Sequence, residues 1–276
     1  MSAINVVKRR SDAFVIADSI AYDKNGVLTL FESKLTTLEH LHAVIGCRGT
    51  MLARRVIVPE ISVAFTSFDD LIAGVESWLR DFWRDFVWTY PVADDTSNEL
   101  TIAGWSRARG APAVFTILTK DIPQNRYHKT GFQLYELEQL IVTQPDVFQE
   151  DYDAAVKAGG YNPQTTVRDV DPATHGALLL ELQRQREHLI PSGEFRYMVG
   201  GVCEMATITA DGIAMQTIGE YPDAIGEPIK PEPVDWRAWW LERGGGKQDA
   251  ANVIALSPLR RKMLERKQRK AERRAG

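Results

Sequence analysis

Over the first fifty positions, apolar and β-branched residues come in short runs; beyond them the period changes. Residues 3–8 (Ala-Ile-Asn-Val-Val-Lys) and 13–17 (Ala-Phe-Val-Ile-Ala) are two such runs. Arg9 to Asp12 separate them, so the pair predicts a hairpin. Asp23-Lys24-Asn25-Gly26 is a turn signal ahead of a strand over 27–31. Two further strands are expected over 35–38 and 42–45, the second ended by Gly46-Cys47-Arg48-Gly49, with a helix beginning within 50–56. From Ser67 the spacing turns helical: Phe68, Leu71, Ile72, Val75, Trp78, Leu79, Phe82 and Trp83 fall on one stripe. Ser67, Asp69 and Asp70 suit the start of that helix, and its aromatic stripe reads as a core face rather than a ligand box.

Further along, strands are expected over 99–105 and 113–118 around a Gly110-Ala111-Pro112 turn. Residues 134–141, 146–158 and 174–189 read as helices. Strands return over 197–202, 204–209 and 213–218, with Asp211-Gly212 as a hairpin turn. The order strands, helix, strands, helices, strands is neither strict βαβ alternation nor an all-β pattern. It predicts an α+β fold of two antiparallel sheets between helix layers.

Composition narrows the class without naming a chemistry. The 276 residues are 44% hydrophobic and 25% charged, enough to bury a sizeable core. No apolar run reaches the ~18–20 residues of a membrane span, and the N-terminus lacks a signal-peptide pattern, so a cytoplasmic protein is expected. Cys47 and Cys203 lie in apolar, strand-like surroundings and read as small buried residues, not as a disulfide framework. His40, His42, His128, His175 and His188 show no metal-ligand spacing, and no metal or cofactor is implied. The net charge of −4 hides an asymmetry: residues 260–276 carry nine basic and two acidic side chains, a net of +7 that leaves −11 for the rest. With no aromatics interleaved, this tail reads as a solvated or protein-docking segment rather than a nucleic-acid binder. Ahead of it, Trp236, Trp239 and Trp240 are candidate anchors, and Gly244, Gly245 and Gly246 form a flexible joint.

Several motifs together carry a family likeness. Ser2 follows Met1; Val15-Ile16-Ala17-Asp18-Ser19 closes a strand; Ser33-Lys34-Leu35 opens another; Val44-Ile45-Gly46-Cys47-Arg48-Gly49 follows. Asp18 stands 16 residues and Lys34 stands 32 residues beyond Ser2. In these features the chain resembles proteasome β-subunits and the peptidase subunit of the related bacterial ATP-dependent protease, which are N-terminal nucleophile (Ntn) hydrolases. The likeness covers about residues 2–220, with Leu100 to Trp105 and the stretch from Val199-Gly200-Gly201 to Asp211-Gly212 as its later members.

The resemblance implies a four-layer αββα Ntn-hydrolase sandwich over 2–222, followed by a Pro/Trp-rich extension and basic tail over 223–276. It implies Ser2 as nucleophile after removal of Met1, the freed α-amine as base, Asp18 and Lys34 as its tuners, and the Gly46 N–H as oxyanion donor. A peptide or small amide would be the substrate, and a homo-oligomer the expected assembly. The chain also departs from the family: serine replaces the usual threonine, Gly131 to Leu134 contains no serine where the family has a Ser-Gly-rich turn, and 187–192 does not hold the family's second Asp in register. The same residues therefore also fit a catalytically inactive, proteasome-like structural or assembly protein of a bacterial or phage particle.

Overall fold

The structure, a computed structural model, describes residues 3–91, 97–122, 130–137, 140–141, 145–162, 171–190 and 193–243. Ser2, His128, Ser192, the glycine joint and the basic tail lie outside the described residues. The fold is mixed α+β, with antiparallel sheets and five α-helices among the described residues.

In chain order the strands and helices are β1 (Ile4–Lys8), β2 (Ala13–Ala17), β3 (Ile20–Tyr22), β4 (Leu28–Phe31), β5 (Leu35–Leu38), β6 (Ala43–Arg48), α1 (Met51–Ala64), α2 (Phe68–Thr89), β7 (Glu99–Ser106), β8 (Ala111–Leu118), β9 (Tyr135–Glu136), β10 (Leu140–Ile141), α3 (Gln149–Ala158), α4 (Pro172–Arg184), β11 (Glu187–Leu189), β12 (Phe195–Tyr197), β13 (Val202–Thr209), β14 (Gly212–Glu220) and α5 (Trp236–Glu242). One five-stranded sheet runs β10-β1-β2-β13-β14 and the other β5-β6-β7-β8-β9. Two short hairpins, β3–β4 and β11–β12, stand apart from them.

Strand alternation sorts the core into groups. Ala43, Ile45, Cys47, Leu100, Ile102, Phe115 and Ile117 pack against the apolar stripes of α1 and α2, including Ile57, Ile61, Phe68, Leu71, Val75 and Leu79. From the same strands, Val44, Ala103 and Val114 pack instead with Ile4, Val6, Val15, Ala17, Ala206 and Ile208 of the other sheet. The remaining side chains of that sheet, among them Val7, Phe14, Ile16 and Met205, pack with Leu180 of α4. Strand β2 is thus buried on both faces, which is why it reads as an unbroken apolar run.

The chain divides into two compact units, Met1–Tyr152 with Gln164–Pro233, and Asp153–Pro163 with Val234–Gly276. In the second, Trp239 and Trp240 are buried, and Trp240 Nε1 donates to the Ala155 carbonyl at 2.7 Å. Among the described residues no helix is long and apolar enough to cross a membrane.

Several expected elements take other forms. In place of the helix expected over 134–141, the described residues make strands: Tyr135 and Glu136 pair with Thr116 and Phe115 at one sheet edge, and Leu140 and Ile141 pair with Val7 and Val6 at the edge of the other. Those edges offer unpaired ladder groups, and the short segments satisfy them. The helix expected over 174–189 stops at Arg184, and Glu187–Leu189 pairs with Phe195–Tyr197 instead. Strand β6 runs through Gly46 and Cys47 to Arg48, so the turn falls later, at Gly49 with φ 123°. His40 lies in a 3-10 turn, Glu39–Leu41, and His42 follows it at φ 55°, so the strand expected from residue 42 begins at Ala43.

Candidate functional site

The β1–β2 hairpin aligns Ile4 with Ala17, so the residues just outside the pair, Ala3 and Asp18, meet at its open end. The Ala3 N–H donates to Asp18 Oδ1 at 2.9 Å. Beyond Asp18 the chain leaves the sheet as the β3–β4 hairpin, whose Ile20–Phe31 pairing closes it. Glu32 N–H donates to the Ser19 carbonyl at 2.6 Å, which returns the backbone to its starting point. Hairpin closure thereby brings Lys34, 16 residues downstream, back to Asp18. The start of β5 fixes the backbone of Lys34, whose carbonyl accepts the Cys47 N–H at 3.1 Å.

Lys34 Nζ forms an ion pair with Asp18 Oδ1, the same oxygen that receives the Ala3 N–H. Asp18 is fully buried and Lys34 is 6% exposed. Beyond this ion pair, the ammonium makes no polar contact among the described residues. Burial pushes the Lys34 pKa below the ordinary lysine value, against the pull of the Asp18 carboxylate; Arg48 pushes the same way as burial.

Asp18 Oδ2 accepts the Gly200 N–H at 3.4 Å, and its neighbour Ser19 binds the same segment. The Ser19 N–H donates to the Gly200 carbonyl at 3.3 Å, and Ser19 Oγ accepts the Val202 N–H at 2.7 Å. Further ion pairs follow on the neighbouring elements. Arg48 pairs with Glu99 at 2.8 Å, and both Arg54 and Arg55 pair with Glu32.

Of the residues singled out in the sequence, Asp18 and Lys34 are brought together. Ser2 lies outside the described residues, although its carbonyl carbon is bonded to the Ala3 nitrogen that Asp18 holds. Gly46 is placed otherwise than expected. It stands mid-strand, opposite Leu35 on one side and Thr101 on the other. Because the Cys47 N–H points to β5, ladder alternation turns the Gly46 N–H towards Thr101 of β7.

Sequence reasoning passed over Ser19, Gly200, Gly201, Arg184 and Asp223 as parts of this centre. The adjacent Gly200-Gly201 was the one available signal. Cys47 and Cys203 are buried as expected, and burial pushes both thiols up to about 12, so neither is a thiolate nucleophile at neutral pH. No group of three or more His, Cys, Asp or Glu side chains among the described residues is placed to hold a metal ion. No protein-family model matches the chain, and no curated protein matches it.

Proposed function

We propose that the chain is a proteasome-type Ntn hydrolase that cleaves amide bonds, chiefly peptide bonds, on a four-layer αββα sandwich spanning residues 2–222. The observation that carries this reading is the shared oxygen of Asp18: it receives the Lys34 ammonium and also the N–H of residue 3, the atom to which Ser2 is bonded. Any serine attached there is tethered beside a buried ammonium. In this reading the bond preceding Ser2 is cut, and the freed α-amine, with an ordinary pKa of about 8, takes the proton of Ser2 Oγ. Oγ attacks the substrate carbonyl, the C–N bond breaks, and the leaving amine departs with that proton. Water then hydrolyses the ester and regenerates the serine. Lys34 lowers the cost of negative charge on Oγ, and Asp18 fixes Lys34. The substrate class is a peptide or small amide, and the assembly a homo-oligomer.

A second reading is favoured by one observation. The Gly46 N–H faces Thr101 within the ladder, so the expected oxyanion donor is already committed. This suits an inactive, proteasome-like structural or assembly protein. A serine-reactive acylating probe, combined with intact mass, separates the two. On the first reading the mass shows a free Ser2 amine, the probe adds one equivalent at Ser2, and Ser2→Ala abolishes both labelling and peptide hydrolysis. Hydrolysis by Ser2→Ala at the parental rate excludes the first reading. A free Ser2 that takes up no probe supports the second.

A further inference from the structure

We propose that Arg184 and Asp223 are positioning residues that hold Asp18 in line with Lys34. The inference rests on the reading of Asp18 and Lys34 as the tuning pair of the site. Arg184 ends α4, and Asp223 lies three residues beyond β14, in the segment that follows the last strand. Their side chains are 6% and 5% exposed and meet in a two-pronged ion pair, Nη1 to Oδ2 at 2.8 Å and Nη2 to Oδ1 at 2.7 Å. The fork leaves no freedom of rotation about the pair. The Arg184 guanidinium also stacks over the Tyr221 ring at 4.2 Å.

What this pair grips is the Val199–Gly201 backbone. Arg184 Nη1 donates to the Val199 carbonyl at 2.8 Å, and Asp223 Oδ2 accepts the Gly201 N–H at 2.9 Å. Gly200, between them, donates its own N–H to Asp18 Oδ2, and its carbonyl accepts the Ser19 N–H. One face of the turn therefore rests on Arg184 and Asp223, and the other on Asp18 and Ser19. The two glycines are needed for this arrangement. A Cβ on Gly200 would collide with the carboxylate of Asp223, and Gly201 has φ 68°. Asp18 thus has one oxygen facing Lys34 and Ala3, and one that meets the Gly200 N–H at 3.4 Å, the contact through which the Arg184–Asp223 pair reaches it.

Loosening the turn frees Asp18 Oδ2 and lets the carboxylate swing from Lys34. Asp18 is what holds the Lys34 ammonium against desolvation, so Lys34 would then lose its proton at lower pH. Activity that needs the ammonium would fail earlier on the alkaline side.

The test uses the full chain with Arg184→Met/Asp223→Leu, which removes both charges together, and Asp223→Asn as the milder variant. Two quantities are followed: the pH dependence of Ser2 labelling by the acylating probe, and the titration of Lys34 Nζ by NMR, assigned with Lys34→Arg. We expect labelling to slow about 10- to 100-fold at neutral pH. Its alkaline limb and the Lys34 midpoint should both move to lower pH, the Asp223→Asn shift being the smaller. A merely structural role would lower thermal stability and leave both pH midpoints in place. If the double variant does not fold, Asp223→Asn decides alone. Unmoved midpoints in a folded variant overturn the proposal. Should the parent protein take up no probe, the catalytic reading fails, yet the Lys34 titration still reports whether the clamp positions Asp18.

Discussion

The helix-covered face of the β5–β9 sheet and the Asp18 end of the β1–β2 hairpin are equally well buried, yet opposite forces hold them. Under α2, Phe68, Leu71, Val75 and Leu79 are almost wholly excluded from water against Ala43, Ile45, Ile102 and Phe115. Each such side chain gains roughly 1.5–3 kcal/mol by leaving water, and none needs a particular partner atom. At the hairpin end, a carboxylate and an ammonium are taken out of water together, and the ammonium is pushed towards its neutral form. Buried ion pairs of this kind seldom improve stability over apolar replacements of equal volume. One region shows what keeps the molecule folded. The other holds a charged pair that apolar residues of equal volume could replace without loss, and that contrast motivates the proposal that Asp18 and Lys34 are functional.

The strongest way to break the comparison is to treat the two charges unequally. Lys34→Met leaves the Asp18 carboxylate buried with two backbone N–H donors and no counter-charge, and is expected to lower unfolding free energy by about 3–5 kcal/mol. Asp18→Asn/Lys34→Met removes the unpaired charge and should recover most of that loss. Urea titration of the parent, single and double variants reads both. A single-variant cost below about 1 kcal/mol would mean that the pair behaves like a solvated surface bridge, and the contrast with the α2 face would vanish.

The apolar face can be stressed in the same manner. Gly104 of β7 lies so close beneath α2 that a Cβ there would run into the Phe68 ring. Gly104→Ala is therefore expected to cost about 1–3 kcal/mol by overpacking. Phe68→Leu alone opens space, and Gly104→Ala/Phe68→Leu should cost less than the sum of the two, because the smaller side chain makes room for the added methyl. Additive losses in a double-mutant cycle would show that the helix shifts as a body and that the close approach is not what fixes its height.

How much of each region was legible follows from the same physics. The α2 stripe could be read because burial repeats with the helical period, so Phe68 to Trp83 announce one face in a single stretch of chain. The β1–β2 hairpin was legible for the analogous reason, down to the Arg9 to Asp12 turn. Asp18 and Lys34 could be chosen because a family likeness supplied their spacing; nothing in the periodicity joins them. Arg184 and Asp223 lay beyond reach, since a hydrogen-bonded clamp between α4 and the segment after β14 leaves no period in the chain; only the adjacent Gly200-Gly201 hinted at a close backbone approach. The missed strands have a different cause. Residues 135–136 and 140–141 adopt sheet structure because two sheet edges need partners, a demand made by the rest of the fold rather than by their own composition.

The smallest effect expected concerns the junction where the local signal was clearest. Ser67 precedes α2 in extended conformation, and its Oγ accepts the Asp70 N–H at 3.1 Å. Asp70 reciprocates, its carboxylate taking the Thr66 N–H at 2.9 Å, so two backbone donors at the start of the helix are satisfied by neighbours a few residues away. Ser67→Ala should cost about 1 kcal/mol. Ser67→Asp should retain most of the stability, because a carboxylate both accepts the bond and favours a helix N-terminus. Neither change is expected to alter Ser2 labelling or the Lys34 titration, since the cap acts on the apolar face alone. If Ser67→Ala moved the Lys34 midpoint, the two regions would be coupled through the β6 and β7 strands they share, and their separation into an apolar face and a charged end would not hold.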